Sequence, residues 1–229
     1  MRAIDVTPRI RPLDMYPYDD YIVEMKPLAH MHYSYRIDRG RIEIVLSDYL
    51  LDAPDKVLND TCKAIVNWSQ GRKFVQPASL GEYVRSEAFI VSSRPKYLSR
   101  SRSFLMTQQG GSKNLMDSVE RLLDSELIND DDIRNSYITW TDHMAKHKFG
   151  QCNQMFRVIS VNPILDDERV PDVVVDFVIY HEILHLRQDT SKIRRPHNAQ
   201  FRSWEHMFPN YLEAEEYLRN IYSTLKIRK

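Results

Sequence analysis

The sequence predicts an α+β fold, a twisted sheet packed on one apolar helix at 171–186 and preceded by a smaller strand–helix unit. Three observations carry that expectation. The run from Pro171 to Leu186 has no glycine and is greasy on nearly every side, as a core helix is. Short, largely alternating segments at 33–38, 41–46, 137–141 and 156–161 read as strands. The order of strand and then proline-started helix occurs twice, ending in the helices at Pro54 and Pro171.

Composition bounds the rest. At 229 residues, 42% hydrophobic and 28% charged, the chain has the make-up of a soluble globular protein of one large domain or two small ones. Lys plus Arg and Asp plus Glu are both 32, so no global field draws it to nucleic acid or membrane. Two cysteines, Cys62 and Cys152, build neither a disulfide framework nor a four-thiolate metal site, which fits a reducing cytoplasm. No signal-peptide pattern opens the chain and no apolar run reaches membrane-spanning length.

Taken in order, residues 1 to about 29, rich in proline (Pro8, Pro12, Pro17, Pro27), are expected to be mostly extended or irregular. The segments at 33–38 and 41–46 flank Arg39-Gly40 and form a hairpin. A helix from Pro54 to about Trp68 stops near Gly71. Aligning Pro54 with Pro171 puts Ala64, Ile65 and Trp68 opposite His181, Glu182 and His185, as a degenerate, ligand-free copy of the later unit would. Two unrelated strand–helix units are an equal reading. Residues 93–113 then turn to Ser, Arg and Gly and hold five cations (Arg94, Lys96, Arg100, Arg102, Lys113) and no acid. They read as a solvated connector. A phosphate-backbone contact with Tyr97 and Phe104 for base stacking is the lesser alternative. The expected division is therefore 1–92, the connector 93–113, and 114–229. In the last part 114–123 is an amphipathic helix with Leu115, Val119, Leu122 and Leu123 on its stripe, and Asn129-Asp130-Asp131-Asp132 is a solvated acidic turn.

The chemistry is concentrated in His181-Glu182-Ile183-Leu184-His185. Residues four apart share a helix face, so both imidazoles reach one ion. Glu182 points about 100° away, within reach of a water on that ion. Three ionisable groups in an apolar helix are costly to bury without a strong partner, and Zn²⁺ is the metal this spacing usually holds. Satisfied core polar groups are the bland alternative, and a chance match falls inside a buried helix rarely. A catalytic zinc takes a third protein ligand. Gln188 and Ser191 stand where a metzincin needs Gly and His, which removes that class. Glu205 lies at a plausible distance but without the flanking Asn and Asp of a thermolysin-like glutamate. His197, next to Pro196 at a helix mouth, is favoured, with Glu205 the alternative. About 12 Å of helix would separate the two, so they cannot both bind. His143, His147 and His206 are expected to be surface or structural.

Ile138-Thr139-Trp140, Phe149-Gly150, the strand Arg157-Val158-Ile159-Ser160-Val161, Val178 to His185, His197-x-x-x-Phe201 and Trp204 occur together in this order. Over about residues 113–212 the chain thereby resembles the SprT-like zinc metallopeptidases. The resemblance implies a zincin-like domain, zinc on His181, His185 and His197, Glu182 as general base, and hydrolysis of peptide bonds in a protein or peptide substrate. It implies a substrate strand added along the sheet edge at 156–161, with Tyr180 or Arg202 as guesses for the oxyanion donor. No cysteine-rich DNA-binding finger follows the matched region, so action on DNA-associated proteins is a lesser expectation. The rivals are a catalytically silent zinc-bound module that binds protein or nucleic acid, and a zinc hydrolase acting on another amide.

Overall fold

A computed structural model describes residues 3–146, 148–188 and 195–227. It is α+β, with two small mixed sheets, and divides into two compact units between Ser101 and Arg102.

The first unit is built on the strands β1 (Ile4–Asp5), β2 (Tyr21–Lys26), β3 (Tyr33–Asp38) and β4 (Arg41–Ser47), in the order β1-β2-β4-β3. The hairpin β3–β4 turns at Arg39 and Gly40, with φ of 50° and 84°, left-handed values that the glycine adopts without strain. Ile42, Ile44 and Leu46 alternate inward and are buried, so β4 is the centre of the sheet. Helix α1 (Asp55–Ser69) follows a short 3-10 turn and buries Val57, Leu58, Cys62, Ile65 and Val66. Helices α2 (Ala78–Tyr83) and α3 (Glu87–Arg100) complete the unit.

One expectation is sharpened and one corrected here. The proline-rich start is extended or irregular over most of its length, as expected, and its extended part includes β2, which runs six residues and pairs parallel to β4. The prolines lie outside that strand, where they cannot remove a ladder hydrogen bond. Residues 93–100 are not a connector. They continue α3, whose buried residues Phe89, Ile90, Ser93, Tyr97 and Leu98 keep helical spacing beneath the Ser and Arg of the outer face. Nor are the cations an open basic strip. Arg100 grips Asp48 with both guanidinium nitrogens at 2.7 and 2.5 Å, and Lys96 meets Asp52 at 3.2 Å.

The second unit opens with residues 103–113, which are irregular in form but tied down. Leu105 donates to Trp140 and Trp140 to Thr107, so this stretch lines one side of β5 (Tyr137–Trp140). Gly111, Ser112 and Lys113 give their backbone N–H groups to the Asp166 carboxylate at 2.5, 3.0 and 2.9 Å, while the Lys113 amine holds Asp172 at 2.6 Å. Helix α4 (Leu115–Asp124) is capped by the Asn114 side chain and buries Leu115, Val119 and Leu122. The acidic turn is a helical turn, α5 (Asp130–Ile133), closed by a reciprocal capping box between Asn129 and Asp132. Asp132 also takes Arg187 at 2.6 Å, so it serves the protein rather than a cation.

The sheet adds β6 (Gly150–Asn153) and β7 (Val158–Val161) in the order β5-β7-β6, with β5 parallel and β6 antiparallel to β7. All of β7 is buried, so the strand expected at the edge is the central one. The edge beside the long helix is β6. That helix is α6 (Asp172–Arg187), and Val174, Val175, Val178, Ile179, Ile183 and Leu184 on it are buried, each burial contributing about 1.5–3 kcal/mol. Beyond it come α7 (Ala199–Glu205) and α8 (Tyr211–Thr224), the latter burying Ala214 and Ile221. The two units share one path: a strand, an antiparallel hairpin whose second arm pairs parallel to that strand, a 3-10 turn, and a proline-capped helix. Even one hydrogen bond recurs, Ser47 to the His32 carbonyl and Asn162 to that of Phe149. Among the described residues no helix is long and apolar enough to cross a membrane.

Candidate metal centre

Helix α6 delivers His181 and His185 to one face because they are four residues apart. The chain returns with His197 just before α7, whose start is set by the Asn198 side chain accepting from Phe201 N–H at 2.9 Å. Pro196 therefore precedes the helix instead of opening it. At the near end Gln188 donates to the Pro196 carbonyl at 2.6 Å and holds the two sides of the return together.

The result is a cluster in which one ligand atom from each of His181, His185 and His197 lies within 4.8 Å of the others. Nε2 of His197 stands 3.1 Å from Nε2 of His185. Two imidazole nitrogens held about 2.0–2.1 Å from a tetrahedral ion lie roughly 3.3 Å apart, so the observed spacing fits shared coordination. Phe201, fully buried, packs its ring 5.1, 4.7 and 4.8 Å from those of His181, His185 and His197 and limits their movement. Burial, and then the neighbouring His181 and His197, push the His185 imidazole down to about 4. Burial first and His181 second also lower His197. Both rings therefore keep a free lone pair at neutral pH, the form that binds a metal. The donor set suits a divalent ion, and these three residues would hold it.

Glu182 is buried beside the cluster, at 6% exposure. Desolvation raises its carboxyl to about 7, opposed by the positive charge of His181 and Lys148 and by the backbone N–H of Cys152. A cation on the histidines would favour the ionised form further. Glu182 reaches this place because residue 150 has no side chain. A Cβ on Gly150 would come 2.6 Å from Glu182 Oε1 and 2.7 Å from its Cγ. We expect Gly150→Ala to leave metal binding in place but displace the carboxylate, at a cost of about 100-fold in turnover, the usual effect of a misplacement near 1 Å. Metal content measured beside initial rates checks this; an unchanged rate would show that Glu182 tolerates the shift.

A cleft of about 700 Å³ opens over these groups, bounded by Gly150 and Cys152 of β6, by Phe177, His181 and Glu182 of α6, and by Leu218 of α8. That volume falls in the range of small-ligand and peptide side-chain sites.

The structure brings together all four residues assigned to the site from the sequence, His181, Glu182, His185 and His197. Glu205, the alternative third ligand, is in the same cleft, but its Oε1 meets Nδ1 of His181 at 2.6 Å, behind the ring. Of the oxyanion guesses, Tyr180 is fully buried with its hydroxyl given to the Trp204 carbonyl at 2.7 Å, while Arg202 lines a second recess that adjoins the cluster at His197. His143 is an exposed partner of Asp142 and His206 packs on Tyr211, as structural histidines do. His147 lies outside the described residues. Sequence reasoning missed Gly150 as a spacing requirement, Gln154, which donates to the His185 carbonyl, and the wall from α8, although Ala214, Leu218 and Ile221 carry a helical stripe. No protein-family model, curated protein or solved structure matches the chain.

Proposed function

We propose that the chain is a zinc-dependent metallopeptidase with a zincin-like catalytic unit. The observation that carries this reading is the buried carboxylate of Glu182 held beside three converging imidazoles in an open cleft. Cysteine is absent from the cluster and three imidazole nitrogens suit zinc, which keeps a further position for water in catalytic sites. A zinc ion there supplies Lewis acidity toward the water and the carbonyl to be cleaved. Glu182 accepts the proton of the attacking water and returns it to the leaving amine. β6 is the strand along which an extended substrate pairs, replacing 156–161 in that role, since it is the sheet edge that lines the cleft. The likeness to SprT-like metallopeptidases supports the same reading.

The silent-module reading gains less support, because a purely structural metal site has no use for a desolvated acid beside it. Nucleic acid is also less favoured as a partner, since Lys96, Arg100 and Lys113 of the basic stretch are paired with Asp52, Asp48 and Asp172. The test is cleavage of an unfolded protein such as casein, before and after 1,10-phenanthroline. Fragmentation that stops with the chelator and returns with added zinc is the expected outcome. Fragmentation that continues in metal-free protein would overturn the proposal.

A further inference from the structure

We propose that Glu205 is a positioning residue that fixes the first histidine of the cluster, acting through His181 and never on the ion itself. This deepens the metal-site reading above and rests on it. The geometry is direct: Glu205 Oε1 lies 2.6 Å from Nδ1 of His181. Both groups are sheltered, with side chains 26% and 14% exposed, so the bond is not one of the solvated surface pairs that contribute little. A carboxylate accepting at Nδ1 places the ring proton there and leaves the Nε2 lone pair for a metal. It also sets the rotation of the ring.

The arrival of Glu205 is specified by the fold. It is the last residue of α7, the helix that follows His197, so one short segment supplies the third ligand and the support of the first. Next to it, Tyr180 donates to the Trp204 carbonyl at 2.7 Å, so consecutive residues of α6 grip consecutive residues of α7. Arg187 lies over the Trp204 ring at 5.7 Å. A ligand-delivering helix pinned at three places keeps Glu205 in register with His181.

Two roles must be separated: orientation of an imidazole, and simple attachment of α7 to α6. Tyr180→Phe removes the neighbouring attachment without touching His181, and Glu205→Gln keeps an acceptor while removing the charge. Glu205→Leu removes both in a similar volume. The readout is Co²⁺ affinity and the visible spectrum of the bound ion in the full-length protein, with circular dichroism and thermal midpoint recorded for each variant. Orientation predicts that Glu205→Leu binds Co²⁺ about 10–100-fold more weakly, that Glu205→Gln recovers part of the loss, and that Tyr180→Phe stays near wild type even where its thermal midpoint falls. Affinities of Glu205→Leu and Glu205→Gln within twofold of wild type would overturn the inference, as would an equal loss in Tyr180→Phe. Wild-type protein that takes no Co²⁺ would remove the metal site and this role together. Wild-type protein that binds Co²⁺ with the predicted order of variants but cleaves no substrate would sink only the peptidase reading.

Discussion

Glu182→Gln is expected to lower peptide hydrolysis by about 10²–10⁴-fold while leaving metal content unchanged. The amide has nearly the shape of the acid and fits the pocket beneath Gly150, so the cleft keeps its form. What is lost is the ability to take and return a proton. Burial has lifted the Glu182 carboxyl to about 7, close to the pH at which the proposed general base would do both. Initial rates and bound metal measured on the same sample check the expectation. Equal rates for the two proteins would remove Glu182 from the chemistry.

His197→Ala is expected to act at the other end of the site, on the metal. Three imidazoles would share a bound ion, and structural zinc sites bind with roughly 10–16 kcal/mol over their ligands, so one ligand of three accounts for roughly 10²–10⁴-fold in affinity. The fold should survive. His197 is exposed and lies outside the helices, while the apolar core around α6 does not include it. Competition with a colorimetric chelator gives the affinity, and thermal unfolding of the metal-free forms gives the control. An affinity that does not fall would assign the third position to another group, with Glu205 the first to examine.

The long apolar helix and its two histidine positions were legible because they depend on spacing along one chain. His181 and His185 are four residues apart on a helix that the apolar run from Val173 onward makes obligatory. The hairpin at Arg39-Gly40 and helices α1 and α4 were legible for the same local reason. What escaped was set by contacts between distant residues. β2 hides among prolines and is a strand because β4 pairs with it. β6, Gly150-Gln151-Cys152-Asn153, has little strand propensity and is held by β7, which moved the sheet edge from one strand to its neighbour. α3 reads as a polar connector until its buried face is counted. In the site, Glu205 was legible as a residue near the metal but not as a partner of His181 Nδ1, since spacing alone does not say which side of the ring a carboxylate will meet. The shared path of the two units has the same lesson. The proline alignment placed Ala64, Ile65 and Trp68 at the ligand positions, and in the first unit Trp68 packs edge-on to Tyr35 at 4.9 Å, a ring contact where the second unit carries a histidine.

The most direct test is anomalous diffraction at the zinc edge from crystals of the zinc-loaded protein. A single strong peak about 2.0–2.1 Å from a ring nitrogen of His181, His185 and His197, with Glu205 bonded to the far side of the His181 ring, is the result expected. A peak elsewhere, or one that His197 does not approach, would contradict the three-histidine site and the proposed activity with it.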